Sequence, residues 1–468
     1  MTDHRQDMAK NKIAVIGAGA SGLMAALQAA KAGAQVVIID GNDKAGKKIY
    51  ATGNGRCNFT NINCDGSADK AREHFNSAQE AFIAEAISRF TAEDCIAFFE
   101  EQGVLARQES EGRCYPYSGQ AAAVVEALTS GCEAAAVEFV LGDRAVDLEG
   151  SVVDGGAEGA PLDGAAGFCV VLESGRKVLC DRVVIACGGR AGLKFGSTGD
   201  GYGFAKKFGH SLVPPKPALV AAESEDFFMA DLKGVRAAAN VTLKLDGEAI
   251  AADSGEVQFT GTGVSGICVF DLSRFMDAPR PKKKKKSGKK AALNEAAEAP
   301  EKNYSIVIDL VPDMDVKALM KLLRGWARGY CDADEKNHVH GDISAADLEQ
   351  MLSGIVNRKL AAVIAGLAME DEKSGEKFTE VNKVIGRSVM MLKGLKVSVA
   401  STKGWDDAQT TCGGVKCDEI DSATMESKLA AGLYLCGEVM DVDGRCGGYN
   451  LQWAWSSGYI AGRSAAGV

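Results

Sequence analysis

Apolar and polar positions alternate between two periods along the chain, and the first fifty residues are the most ordered part of that pattern. Lys12-Ile13-Ala14-Val15-Ile16 is a short, continuous apolar run of the kind that forms a buried strand. Gly17-Ala18-Gly19-Ala20-Ser21-Gly22 follows at once, and Leu23 to Lys31 is rich in Ala and Leu, which predicts a helix stopped at Gly33. A second apolar strand, Gln35 to Ile39, ends in Asp40. Helical periodicity returns over 80–110 and 118–130, and 135–180 alternates weakly between glycine turns, which predicts a small sheet. Arg182 to Ala186 is another buried strand, running into Cys187-Gly188-Gly189.

Strand-like runs at Val241–Leu245, Glu256–Thr260, Ile267–Phe270 and Tyr304–Leu310 predict a β-rich second domain over 206–312, rejoined at 385–396. Residues 313–384 have helical spacing and read as an insert. Leu433-Tyr434-Leu435-Cys436-Gly437-Glu438 is once more a strand ending in glycine. It precedes Gly444 to Asn450 and an apolar helix through Leu451, Trp453, Trp455 and Ile460. The nucleotide-type domain is therefore expected over 10–205 and 397–468, with the chain leaving it and coming back.

A strand, a glycine turn, a helix, a second strand and an acid within about thirty residues suit a dinucleotide. Gly17 permits the turn, Gly19 lets a diphosphate approach the backbone, and Gly22 brings the helix against the strand. The N–H groups of Ala20 and Ser21 open the helix toward phosphate, and Asp40 can accept from a ribose hydroxyl. A second match to the glycine spacing, Gly261 to Gly266, is followed by Ile267 to Phe270, which reads as strand as easily as helix, and by a lysine run where the acid would fall, so it reads as a glycine turn between strands. No second nucleotide unit is predicted, so a nicotinamide would bind transiently in the substrate cleft.

Composition narrows the class. Glycine, at 55 of 468 residues, is about 12% against a usual ~7%. The net charge of −10 argues against a general coat for nucleic acid or anionic membrane. The polar start carries no secretory pattern, and no apolar run reaches membrane-spanning length, so a cytoplasmic location is expected. Fourteen scattered cysteines are expected as reduced thiols, and five histidines make a metal site unlooked-for. Arg280, Lys282 to Lys286, Lys289 and Lys290 read as a solvated surface insertion that could be deleted without loss of the cofactor.

Three longer segments resemble the HI0933/YhiN-like (BaiN-like) flavoproteins: Gly46 to Asn61, Val257 to Gly266 and Asp441 to Trp455. The resemblance covers nearly the whole chain. It implies an α/β protein whose FAD-binding Rossmann-type domain is interrupted by a β-barrel-like domain and a helical insert. It also implies FAD contacts at Gly17, Gly19, Ala20, Ser21, Gly22, Asp40, Lys48, Gly53, Arg56, Cys57, Asn58, Gly188, Gly189, Gly437, Glu438, Gly447, Gly448, Tyr449, Asn450 and Leu451. Family members include reductases of conjugated C=C bonds in bile-acid intermediates, and others resemble a ribosomal-RNA dihydrouridine synthase. Gly261 stands where relatives often carry His, and Cys446 where many carry Thr.

The reading that follows is reduction of an activated C=C bond in a small molecule, with NADH or NADPH as reductant. A reductase of uracil in ribosomal RNA, an oxidase releasing hydrogen peroxide and a flavin-bound protein without turnover are the alternatives. Alkene reduction needs a proton opposite the hydride. Cys57, beside Arg56 and Asn58, is the first candidate donor, Cys446 the second, and Tyr449 the third. Arg56 and Arg445 could bind phosphate or a substrate anion, or could form structural ion pairs.

Overall fold

The computed structural model describes residues 11–150, 167–276, 302–334, 338–370 and 375–468; the lysine-rich stretch 280–290 lies outside them. Two compact units result, residues up to 218 together with 405–468, and residues 219–404.

In the first unit, five strands form one parallel sheet: β1 (Lys12–Ile16), β2 (Gln35–Asp40), β3 (Glu138–Leu141), β4 (Arg182–Ile185) and β5 (Leu433–Leu435). Their order across the sheet is β5-β4-β1-β2-β3. Both β1 and β2 are buried along almost their whole length, which is why they read as continuous apolar runs rather than as alternating ones. Helix α1 (Ala20–Lys31) is buried from Ser21 to Ala29 because it is covered on both sides. The sheet packs on one face and α2 (Tyr449–Ala466) on the other.

That second contact depends on glycine. A Cβ at Gly458 would stand 2.5 Å from the Ser21 carbonyl oxygen, and one at Gly462 would stand 2.2 Å from that of Ala25. The two helix backbones therefore meet almost directly. Between β3 and β4 the chain makes a three-stranded antiparallel sheet from Ala145–Gly150, Phe168–Leu172 and Lys177–Cys180.

The first unit extends to Ala218 and resumes at Trp405, not at the expected 205 and 397. Strand Leu212–Ala218 pairs antiparallel with Thr410–Val415, and this pairing ties both segments to the nucleotide side. In the second unit, seven strands form an antiparallel sheet whose order begins with Leu395–Val399 and ends with Ser401–Thr402. Ala400 alone separates these two edge strands in sequence. The sheet must therefore curl round until its edges come together, which gives it a barrel-like form.

Helices Val316–Ala327, Ala345–Leu352, Arg358–Met369 and Val381–Gly394 share one hydrophobic core with that sheet. The last of them runs past the expected insert boundary at 384. Gly263 and Gly266 sit in a strand crossing, where a Cβ would lie 2.0 Å from the Ala222 carbonyl oxygen and 2.1 Å from that of Glu256. The second glycine-rich match thus serves chain crowding. Ile267–Ser273 after it is a helix, although Ile267–Phe270 was expected as strand.

One buried polar cluster makes the first unit sensitive to pH. The His210 ring is fully buried, with Nδ1 3.1 Å from Glu419 Oε2 and Nε2 2.8 Å from Ser427 Oγ. Ser427 Oγ already accepts from the Leu429 and Ala430 N–H groups, so its proton goes to Nε2 and His210 carries its own on Nδ1. Burial lowers the His210 pKa, against the opposing pull of Glu419.

The unfolded chain therefore takes up this proton first as pH falls. The contribution of His210 to stability is expected to be full above about pH 6.5 and to decline below it, by up to ~1.4 kcal/mol per pH unit. The melting temperature is expected to drop between pH 7 and 5.5. In His210→Gln, which has no titrating ring, that part of the slope should vanish; an unchanged slope would remove His210 as its source.

Candidate active site

The strand order reverses between β1 and β4, and the crevice at their C-terminal ends is the place where open α/β sheets bind ligands. Here Gly17 to Ser21 follow β1, and Ala186 to Gly188 follow β4; both segments line a cleft. Each motif glycine has its own steric reason. At Gly17, where φ is +112°, a Cβ would stand 2.4 Å from the Ala186 carbonyl oxygen. At Gly22 a Cβ would stand 1.8 Å from the Gly17 carbonyl oxygen, so the helix could not approach the strand.

Gly19 differs from both: nothing lies within 4 Å of the position its Cβ would take. That space belongs to the cleft. Helix α1 starts there with Gly19 as its N-cap, no side-chain cap and no acid in its first turn. Its first N–H groups, with the positive end of the helix dipole, are thus left for an anion.

Asp40 closes the ribose side. Its Oδ2 accepts from the Ala18 N–H at 2.7 Å, while Oδ1 accepts from Asn42 N–H at 2.7 Å and from Asn42 Nδ2 at 3.0 Å. Oδ2 keeps a free lone pair for a hydroxyl. Asn42 also donates to the Phe195 carbonyl, which pins the acid's rotamer to the neighbouring loop.

Across the cleft, Lys48 Nζ pairs with Glu438 Oε2 at 2.8 Å. Glu438 Oε1 accepts from Thr411 N–H at 3.1 Å and from Thr411 Oγ1 at 2.8 Å. Thr411 Oγ1 in turn accepts from Arg190 and Ala191 N–H. This network ties the loops after β2, β4 and β5 together. Asn450, at the start of α2, accepts from Gly444 N–H at 2.9 Å and donates to its carbonyl at 2.7 Å. Helix α2 has no acid in its first turn either, so a second positive helix end lies at the cleft with Asn450, Leu451, Trp453 and Ala454 on the wall.

The expected cofactor residues divide. Gly17, Gly19, Ala20, Ser21, Asp40, Lys48, Gly188, Glu438, Asn450 and Leu451 line the cleft. Gly22, Gly189 and Gly437 stand behind it and allow close packing. A Cβ at Gly189 would lie 2.3 Å from Thr411 Oγ1, and one at Gly437 would lie 2.4 Å from Ser21 Oγ.

Gly53, Arg56, Cys57, Asn58, Gly447, Gly448 and Tyr449 are absent from its walls. Arg56 pairs with Glu109 and lies over the Tyr115 ring at 4.1 Å, which makes it a structural ion pair. Cys57, in the polar, glycine-rich segment beside Arg56 and Asn58, is wholly buried in the core, and burial pushes its thiol up to about 12. The Tyr449 ring stacks on His74 at 4.5 Å, its hydroxyl accepts from Asn63 at 3.3 Å, and burial raises it to about 12. Cys446 is half-buried in the loop before α2. The buried Asn58 Oδ1 has no hydrogen-bond partner among the described residues; it lies beside the start of α2, 2.9 Å from where a Gly448 Cβ would be.

Sequence reasoning did not find Asn42, Lys47, Thr52, Phe195 to Ser197 and Gln409 on the walls, or Thr411 behind them. Asn42 and Lys47 follow Asp40 closely enough for an acid-plus-two rule to have flagged the first. Nothing local to 409–411 marks it as part of a nucleotide site. Among the described residues no group of His, Cys, Asp and Glu is arranged to hold a metal, and no helix is long and apolar enough to cross a membrane.

Residues 11–464 match the HI0933-like protein Rossmann domain. The chain belongs to the HI0933-like family. Its Rossmann-type domain is the FAD-binding domain of an FAD-dependent oxidoreductase, and the open space at Gly19 between two uncapped helix ends fits the cofactor's diphosphate.

This HI0933-like protein is 34% identical to a 3-dehydro-bile acid delta(4,6)-reductase of Clostridium scindens, over 97% of this chain and 99% of that one. It is 29% identical to a ribosomal RNA dihydrouridine synthase of Haemophilus influenzae, over 96% and 97%. It is 27% identical to one of Escherichia coli, over 95% of each.

Proposed function

We propose that this HI0933-like protein uses NADH or NADPH to reduce an activated C=C bond in a small, apolar, steroid-type enone. The observation that carries the reading is the end-to-end 34% identity with a bile-acid reductase. The cleft is compatible with it. FAD held in this cleft would supply two-electron hydride chemistry between a nicotinamide and the alkene. The protein's part is to hold the diphosphate on α1, to offer the positive end of α2 to negative charge, and to provide a proton. Hydride adds to one alkene carbon and the proton to the other, so NAD(P)H and one proton are consumed per saturated bond.

Cys446 suits the proton's delivery better than Cys57, because it is half-buried rather than enclosed in the core. The uracil-reducing relatives, at 29% and 27%, support ribosomal RNA as the second reading. The deciding experiment reduces the FAD-loaded protein anaerobically with each nicotinamide and then adds a 3-oxo-4,6-diene steroid or uridine-containing ribosomal RNA. Rapid flavin reoxidation with formation of the saturated steroid is expected. Reoxidation by RNA alone, with dihydrouridine as product, would replace the steroid reading with the second one. Failure of both nicotinamides to bleach the flavin would remove them as reductants.

A further inference from the structure

The second unit has a recess of its own, lined only by residues between 227 and 231 and between 359 and 370. Its volume is about 530 Å³, a size usual for small-molecule sites. One wall is the helix Arg358–Met369. That helix buries Leu360, Ile364 and Ala368 in the core of the unit. Its other face sets Ala362, Val363, Gly366 and Leu367 at helical spacing along the recess. Nothing lies within 4 Å of the position a Gly366 Cβ would take, so the wall is flat and open there. The facing wall is the turn Phe227–Met229, where the Phe227 and Phe228 rings meet edge to face at 5.6 Å. Phe227 is 65% exposed, which leaves an aromatic surface uncovered. The turn is nonetheless anchored: Asp226 accepts from Ser398 N–H at 2.8 Å, and Lys359 Nζ donates across the recess to the Lys233 carbonyl at 3.1 Å.

The two ends of the recess differ in charge. Lys359 stands in the first turn of the helix, which carries no acid, and among the described residues its ammonium meets a carbonyl but no carboxylate. Glu370 caps the other end of the helix, about 16 Å away at 1.5 Å per residue. The helix dipole adds to both, positive at Lys359 and negative at Glu370. We propose that this recess binds an elongated, rigid carboxylic acid of steroid type. Its carboxylate pairs with Lys359, its ring body lies between the two phenylalanines and the flat helix face, and a hydroxyl at the far end donates to Glu370. A fused ring system fits flat walls and has little rotational freedom to lose on binding, unlike an alkyl chain. The choice of ring body rests on the steroid reading above; the acid end and its place come from the recess.

The test titrates chenodeoxycholate, below its micelle-forming concentration, into the FAD-loaded full chain by calorimetry. This steroid acid is saturated, so no turnover intervenes. Wild type is expected to bind it about tenfold tighter than its uncharged amide and tighter than palmitate. Gly366→Leu fills the trough and puts a better helix former in place of a glycine, so the fold is kept. It should weaken chenodeoxycholate at least tenfold. Lys359→Gln, which keeps a donor for the Lys233 carbonyl, should weaken the acid about tenfold and leave the amide within twofold. No binding in wild type, or unchanged affinity in both variants, would overturn the proposal. So would equal or tighter binding of palmitate, or a dimer that Gly366→Leu abolishes. Binding that responds to both variants, in a protein whose reduced flavin steroid dienes do not reoxidise, would keep this site and remove the proposed reaction. Steroid-diene turnover with binding indifferent to both variants would do the reverse.

Discussion

Gly19→Val should give a folded, colourless protein. The backbone at Gly19 is at φ −85°, which any residue adopts, and its Cβ position meets nothing within 4 Å among the described residues. The added isopropyl group therefore costs the apo fold little. It fills the space at the start of α1 where the diphosphate fits, and overpacking of that kind costs ~3 kcal/mol or more, about a hundredfold in affinity. Purified Gly19→Val should lack the flavin absorbance bands while melting within a few degrees of wild-type apo-protein.

Gly22→Val is the contrasting case. A Cβ 1.8 Å from the Gly17 carbonyl oxygen cannot be accommodated, so this variant should fail to accumulate as folded protein. Full flavin occupancy in a folded Gly19→Val protein would mean that the diphosphate lies elsewhere.

The second large effect concerns the proton. Cys446→Ala should keep FAD and its reduction by nicotinamide, and slow reoxidation by the enone by roughly 10²–10⁴-fold, the usual share of a general acid. Cys57→Ala should reoxidise at the wild-type rate. Its thiol is enclosed, is pushed up to about 12, and sits at φ +58°, a backbone conformation rare for residues other than glycine. Slow reoxidation in Cys57→Ala with a wild-type rate in Cys446→Ala would return the role to Cys57. Wild-type rates in both would leave water as the proton source.

Much of the nucleotide half could be read from residue order, because its signals are local. Two apolar strands, a glycine turn and a closing acid fall within thirty residues, and the constraint on Gly22, against the Gly17 carbonyl, lies within the motif itself; that on Gly17, against Ala186, does not. The domain boundary was less legible. Leu212–Ala218 contains Pro214, Pro215 and Pro217, which argue against a strand. It forms one all the same, because its pairing with Thr410–Val415 skips Pro214 and Pro215 at an irregularity between Val213 and Lys216, while Pro217 pairs with Thr411 in a two-stranded ribbon. Ile267–Phe270 has the composition of a strand, but Gly266 at φ +109° turns the chain into a helix.

In the site, Asp40 and Glu438 were visible as acids at strand ends. Thr411, which holds Glu438, was not, since the two are brought together by the sheet rather than by spacing. The burial of Cys57 was hidden for a related reason: Arg56 beside it in sequence reaches out to Glu109, while the Cys57 side chain turns into the core.

The return of the chain to its first sheet has a consequence for how the protein comes into being. Ser21 donates to the Cys436 carbonyl across 415 positions of sequence. During synthesis β1 and α1 leave the ribosome early, yet the helix that covers α1 is made more than four hundred residues later. At ~5–20 residues per second this is an interval of tens of seconds. Throughout it the buried face of α1, and the edge of β4 that β5 will occupy, have no partner. The cleft that FAD would occupy is complete only when Glu438 and Asn450 arrive, so its capture is expected after translation.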